Sequence, residues 1–189
     1  DATDSKDNTK LNKDGINHFS GSSTRTGYYL RKLLRQDVNL EPTATSKQMH
    51  YTPRIRFTEI FLNYAEAANE AWGPTGNGGH GYSAYDIIVA LHNRAGVGND
   101  YLESIKTDKD KMRQLIRNER RIELSFEGFR FWDLRRWNAT LTEKAMGMSI
   151  NSATHTTYSP VDVETRDYKE YMNYGPIPYS EVLKFNQLQ

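Results

Sequence analysis

The sequence predicts an all-α protein of helix pairs joined by long irregular loops. Three observations carry that expectation. Apolar residues at Phe57, Ile60, Phe61, Tyr64, Ala68, Ala71 and Trp72 fall at offsets 0, 3, 4, 7, 11, 14 and 15, a helical stripe with no period-2 competitor. Shorter stripes follow at Ala84, Ile88, Leu91 and Ala95, and at Met112, Leu115, Ile116, Ile122 and Phe126. Around them the chain is polar. Of 189 residues 37% are hydrophobic and 26% charged, which predicts a modest core under much irregular surface.

Taken in order, residues 1–25 are rich in Asp, Asn, Lys, Ser and Thr, with few apolar anchors (Leu11, Ile16, Phe19). They read as extended or loop. The apolar run within 26–41 is too short to separate strand from helix, and 42–52 is a polar connector. The first helix is expected from Thr52-Pro53, a good N-cap followed by a residue suited to the first helical position. Gly73-Pro74 stops it. The linker Gly73–Gly81 holds five glycines. Ser83 with Asp86 three residues on predicts a capping box for the second helix, and Gly96 its end. A loop to about Thr107 follows. Thr107 and Asp110 again have capping-box spacing, and the third helix is expected to end at Gly128. A short fourth helix fits Phe129–Trp137. From Asn138 the chain is polar and turn-rich, interrupted by Pro160, Pro176 and Pro178.

The expected organisation is therefore irregular over 1–52, a helical core over 53–137 and an irregular tail over 138–189. Phe57-x2-Ile60-Phe61-x2-Tyr64 with Ala84-x3-Ile88 has the spacing of a tetratricopeptide helix pair, and Met112-x2-Leu115-Ile116-x2-Glu119 repeats its first half loosely. The fold expected is tetratricopeptide-like.

Charge and composition remove several function classes. With 25 basic and 24 acidic residues, the net charge of +1 offers no general attraction to nucleic acid or an anionic membrane. There is no cysteine, so disulfides and thiolate metal sites are out. No apolar run reaches the ~18 residues of a spanning helix. The start, Asp1-Ala2-Thr3-Asp4, lacks an initiator Met and a leader pattern, and is expected to belong to a processed or longer chain.

The densest polar cluster is Asn118-Glu119-Arg120-Arg121-Ile122-Glu123, continued by Glu127, Arg130, Asp133, Arg135 and Arg136. Glu119 and Glu123 share a helix face at roughly 5–6 Å. Three readings compete. Paired carboxylates serve glycoside hydrolysis, but such pairs face each other across a cleft, whereas neighbours on one helix project in parallel. Arginines interleaved with Phe129, Phe131, Trp132 and Trp137 suit single-stranded nucleic acid, but the acids and the balanced charge oppose it. The third reading, adopted here, is a structural ion-pair network of Glu119, Arg120, Arg121, Glu123, Arg130, Asp133, Arg135 and Arg136 that ties helices together. Arg130, Arg135 and Arg136 are the expected partners of the helix carboxylates.

The histidines at 18, 50, 80, 92 and 155 show no metal-ligand spacing, so no metal or other cofactor is expected. No phosphate-loop, nucleophile-elbow or EF-hand pattern occurs, which favours binding over catalysis. Of 22 aromatic residues 12 are Tyr, and such rings suit sugar stacking and protein interfaces. Trp72 and Tyr82 bracket the Gly-rich linker, with His80 and Tyr85 close by. They form the candidate ligand lip, with helix packing of Trp72 and Tyr85 as the favoured alternative.

Five stretches carry a family resemblance. Thr26-Gly27-Tyr28-Tyr29-Leu30-Arg31-Lys32 resembles a T-G-Y-Y-x-R-K segment. Residues 56–67 (RFTEIFLNYAEA) resemble R-x-A-E-hydrophobic-x-L-N-Y-A-E-A, with Thr58 where Ala is usual. Asn93-Arg94-Ala95-Gly96 resembles an R-A-G helix end. Residues 117–137 (RNERRIELSFEGFRFWDLRRW) resemble R-x-E-R-R-x-E-L-x-F-E-G-x-R-x-x-D-L-R-R-W. Gly175-Pro176-Ile177-Pro178-x2-Glu181 resembles a closing P-I-P-x2-E. On these motifs, spread over about 26 to 182, the chain resembles the C-terminal part of the RagB/SusD family of nutrient-binding outer-membrane lipoproteins. The resemblance implies tetratricopeptide-like helix pairs and a non-catalytic subunit that captures glycans or other nutrients. It implies a SusC-like TonB-dependent transporter as partner and a place on the outer face of the outer membrane. Attachment there would be through an N-terminal lipid anchor that this sequence does not contain. The signature Glu and Arg residues carry over as scaffold, which leaves this stretch mainly scaffold and transporter contact. A helical-repeat adaptor for proteins is the alternative.

Overall fold

The computed structural model describes residues 24–38, 43, 45, 47–150, 157–185 and 187. Leu11, Ile16, Phe19, His18 and His155 lie outside the described residues. The chain forms two compact units, Arg35–Asp133 and a second made of the segments up to Leu34 and from Leu134 onward.

The first unit holds α1 (Phe57–Trp72), α2 (Ala84–Ala95), α3 (Asp100–Ile105), α4 (Lys109–Glu123) and most of α5 (Phe129–Arg136). Its regular structure among the described residues is all helical, as the apolar periodicity requires, with irregular chain before Phe57 and between α1 and α2. Its core is Leu62, Ala65 and Ala68 of α1, Ala84, Ile87, Ile88 and Leu91 of α2, Leu102 and Ile105 of α3, and Met112, Leu115 and Ile116 of α4, closed by Leu124.

That core corrects the expected stripes. On α1 the buried face is Thr58, Leu62, Ala65, Ala68 and Asn69, whereas Phe57, Ile60, Phe61, Ala71 and Trp72 are exposed. Phe57 is 83% exposed. The helix has two apolar faces, and the one with small residues is buried because α2 and α4 both approach it closely. α1 also begins at Phe57 rather than near Pro53. Its N-cap is Arg56, which has extended backbone. On α4 the buried face is Met112, Leu115, Ile116 and Arg120, while Ile122 and Phe126 are exposed. The helix stops at Glu123, and Phe126 (φ 63°) and Gly128 (φ 87°) turn the chain into α5. Leaving the right-handed region at Phe126 costs roughly 1–2 kcal/mol.

The caps follow local chemistry. Ser83 and Asp86 form the expected reciprocal capping box on α2. Gly96, at φ 69°, closes that helix, with its N–H and that of Val97 both returning to His92 O. The cap of α4 is Asp108 rather than Thr107: its carboxylate accepts from the N–H groups of Asp110 and Lys111. The expected loop before Thr107 contains α3, a helix of six residues whose two buried anchors, Leu102 and Ile105, are too few to show a period.

The second unit contains β1 (Ala145–Ile150) and β2 (Tyr158–Glu164), paired antiparallel, where an irregular tail was expected. Pro160 sits opposite Met148. Met148 turns its N–H away from β2 onto Thr26 O at 2.8 Å. The pair is therefore a non-hydrogen-bonded one, where a proline costs the ladder nothing. The undecided Thr26–Arg35 stretch is neither strand nor helix but bends and turns, and it lies along β1 at Thr26. Gly147 makes that approach possible, since a Cβ there would stand 2.7 Å from Thr26 O and 2.8 Å from Val163 Cγ2. A 3-10 turn (Glu170–Asn173) and a helical turn (Tyr179–Val182), α6, follow.

Two substitutions test these assignments by thermal melting. Gly147→Ala is expected to destabilise the hairpin unit by about 1–3 kcal/mol, because backbone and not a flexible side-chain end must give way. Ser83→Ala is expected to cost about 1 kcal/mol through the lost cap. An unchanged melting midpoint in either variant contradicts the corresponding contact.

Candidate functional site

The Gly-rich linker folds back on the end of α1. Gly73 leaves the helix at φ 80°, with its N–H on Asn69 O at 3.0 Å. Gly76 and Gly78 then pass so near Trp72 that a Cβ at Gly76 would lie 2.2 Å from its carbonyl oxygen, and one at Gly78 2.3 Å from two indole carbons. Only glycine fits. His80 closes over the indole with ring centroids 5.3 Å apart, and Tyr64 meets His80 edge-on at 6.5 Å. Tyr64 Oη donates to Tyr82 O at 2.6 Å, and Asn77 holds the N–H groups of Gly79 and His80. Trp72 is thereby packed against the loop on one side while 43% exposed.

The four residues of the expected lip are thus divided. Trp72 and His80 meet at a tilt of 41°, with Tyr64, part of the helix stripe in sequence, as a third member. The Tyr82 side chain lines a groove between α1 and α2. Tyr85 packs against the core and turns its hydroxyl to Glu103 of α3.

The charged band is a ladder along the antiparallel α1–α4 seam. Its rungs step seven residues at a time: Glu70 with Arg113, Asn63 with Arg120, Arg56 with Glu127. Arg120, 4% exposed, places Nε and Nη2 on the two carboxylate oxygens of buried Asp133 at 3.0 and 3.1 Å. Its Nη1 reaches Asn63 at 2.5 Å, and Glu66 stands 3.9 Å away. Arg56 grips Glu127 with two bonds of 2.8 Å and Glu123 Oε1 at 3.0 Å. Arg94 of α2 adds a second guanidinium to Glu123 at 2.8 Å. Glu119 faces buried His92 at 3.5 Å.

The structure therefore brings in Arg56 and Arg94, which the local cluster did not name. Of the partners expected from α5 and beyond, Arg135 donates to Met172 O at 3.4 Å and Arg136 lies over the Trp137 ring at 4.7 Å. Arg121 is exposed, and Arg130 is half-buried. The seven-residue steps are present in the sequence, but they show only once α1 and α4 are known to be antiparallel.

Burial pushes the Glu123 carboxyl up, but the hydrogen bonds from Arg94 and Arg56 outweigh it and hold the group below the ordinary carboxylate range. Arg113 holds Glu70 low as well. Glu123 is then an anion at neutral pH and has no proton to donate, which opposes an acid role in hydrolysis. Among the described residues no cluster of three His, Asp or Glu is placed to hold a metal.

Removing one member of the buried fork leaves the other charge without its partner. Arg120→Leu is expected to cost ~3–5 kcal/mol. Arg113→Ala, whose partners are exposed, is expected to cost about 1 kcal/mol or less. Equal losses in chemical denaturation contradict this ranking. A carboxylate whose folded pKa lies below its unfolded one, about 4.3, contributes stability above that value and loses it as pH falls through the folded pKa. The melting midpoint should therefore drop on acidification below about pH 4, and drop less in Glu123→Gln, which is already weaker at pH 7.

The sequence matches the SusD family over residues 3–189. No curated protein matches it. The fold superposes on the crystal structure of a SusD-like protein from Bacteroides fragilis NCTC 9343 with a TM-score of 0.70 and 27% identity over 88% of this chain. The chain spans 30% of that protein's length. A family match across nearly every residue, on a helical fold of the same course, places this chain in the SusD family.

Proposed function

We propose that the chain is part of a SusD-type nutrient-binding protein, non-catalytic, that captures glycans or other nutrients. Family membership supports that reading. Such a protein would be lipid-anchored at the outer face of the outer membrane and hand its ligand to a SusC-like TonB-dependent transporter. No described helix is long and apolar enough to cross a membrane. One geometric observation carries the binding role within this stretch: an exposed indole, Trp72, locked from behind by a glycine loop and flanked by His80. A rigid aromatic face costs little ordering on binding and suits the apolar face of a sugar ring. The charged ladder in this reading is scaffold. Its acids are engaged by guanidinia or imidazole and shape the surface without reacting.

The protein–protein adaptor is favoured by a different observation, the apolar groove between α1 and α2. The two readings separate experimentally. Titration with a panel of soluble glycans, followed by Trp fluorescence and calorimetry, should find a ligand whose affinity falls about tenfold or more in Trp72→Ala. No new reducing ends should form. A glycan bound equally by Trp72→Ala removes the indole from the site, and hydrolysis of any glycan overturns the non-catalytic role.

A further inference from the structure

The Gly-rich linker holds the one Asn-Gly step of the sequence, Asn77-Gly78. A glycine in the second place leaves no side chain to shield the asparagine carboxamide carbon from the next backbone nitrogen. Three features of the fold favour attack by that nitrogen here. The Gly78 N–H makes no hydrogen bond among the described residues, so the nucleophile is free. The Asn77 carboxamide nitrogen has no partner among them either, so the leaving group is free. The carboxamide oxygen, Oδ1, accepts from the Gly79 N–H at 3.0 Å. That donor points at the atom on which negative charge would develop, the arrangement of an oxyanion hole. Asn77 and Gly78 are both exposed, so hydroxide reaches them. Asn63, Asn69 and Asn93 differ. They lie within α1 and α2, where the following N–H groups are committed to the helix ladder.

We propose that Asn77 is a site of spontaneous modification in the folded protein, closing with Gly78 to a succinimide that water opens to aspartate or isoaspartate. Gly78 N gives its proton to hydroxide and forms a bond to Asn77 Cγ. The Cγ–Nδ2 bond breaks, and Nδ2 takes a proton from water and leaves as ammonia, which regenerates the hydroxide. Water then opens the ring. Cleavage at Cγ gives an aspartate at position 77. Cleavage at the backbone carbonyl gives an isoaspartate, in which the chain runs through the side-chain carbons. The second product bears on Trp72. It lengthens the backbone by a carbon just before Gly78, which has no slack beside the indole, since a Cβ there would lie 2.3 Å from two ring carbons. It also turns the Asn77 carbonyl, which accepts from the His80 N–H at 2.8 Å, into a free carboxylate. His80 loses that anchor, and its ring is the one 5.3 Å from the indole. The indole excludes any larger residue at position 78, so the glycine that lets the loop pass Trp72 is also what exposes Asn77 to attack. The proposal does not depend on glycan binding.

The test is to incubate the whole chain in mildly alkaline buffer, follow ammonia release and mass, and locate the change by fragmenting the tryptic peptide 57–94. Conversion at Asn77 is expected to be at least about tenfold faster than at Asn63, Asn69 or Asn93 of the same peptide. It is expected to be no slower than in a free peptide of residues 73–81. Asn77→Ser keeps an oxygen for the Gly79 N–H but has no carboxamide, and should release no ammonia from this position. The isoaspartate fraction, recognised by isoaspartate-specific methylation, should show increased oxidation of Trp72 by hydroxyl radicals. Asn77→Asp, which adds the charge without the extra backbone carbon, should not. Three outcomes overturn the proposal: no conversion at Asn77, conversion slower in the chain than in the free peptide, or an isoaspartate fraction in which Trp72 is oxidised no faster than before.

Discussion

A guanidinium with no water around it must have nearly all its donors answered, and the first unit is arranged so that Arg120 does. Asp133 takes Nε and Nη2, Asn63 takes Nη1, and Glu66 stands 3.9 Å from Nε. One side chain from α4 thereby binds α5 and α1 at once. Burying two opposite charges is close to neutral in net energy, while any misalignment is costly. The pair therefore contributes less to total stability than to register: slide α4 by one turn and both charges are stranded. The remaining rungs, Glu70–Arg113 and Arg56–Glu127, repeat the same register at both ends of the seam.

That register decides which face of α1 is inside. With α4 held this close, only Ala65, Ala68 and Leu62 can occupy the interface, and the bulkier Phe57, Ile60 and Phe61 are turned out. Their exposure is thus a consequence of the ladder and not a defect of the helix. The same placement leaves Trp72 at the rim, where the glycine loop can wrap it. The two surfaces have different chemistry. The rim shows an indole beside an imidazole, and the groove is apolar with its polar groups engaged internally.

Helix positions, the capping box at Ser83 and the glycine stop at Gly96 were legible because they depend on residues within a turn of one another. The family was legible for a related reason, since its motifs are contiguous. Less of the candidate site could be read. Trp72, His80, Tyr82 and Tyr85 were grouped by proximity along the chain, whereas the structure sets His80 against Trp72 and turns the Tyr85 hydroxyl to α3. Arg56 and Arg94 were missed because they lie far in sequence from the acids they hold. The hairpin was obscured by Pro160, which is tolerated only because of its position in the pair.

The sequence by itself determined which stretches become α1, α2, α4 and α5 and how α2 is capped, because periodicity, caps and glycines act over a few residues; α3 and the ends of α1 and α4 were not fixed that way. It also excluded cysteine chemistry outright. Which of two apolar faces is buried, which arginine meets which carboxylate, and which aromatic rings stand together were decided only by the tertiary structure. Those choices depend on how close two backbones come, and no stretch of chain specifies that distance alone.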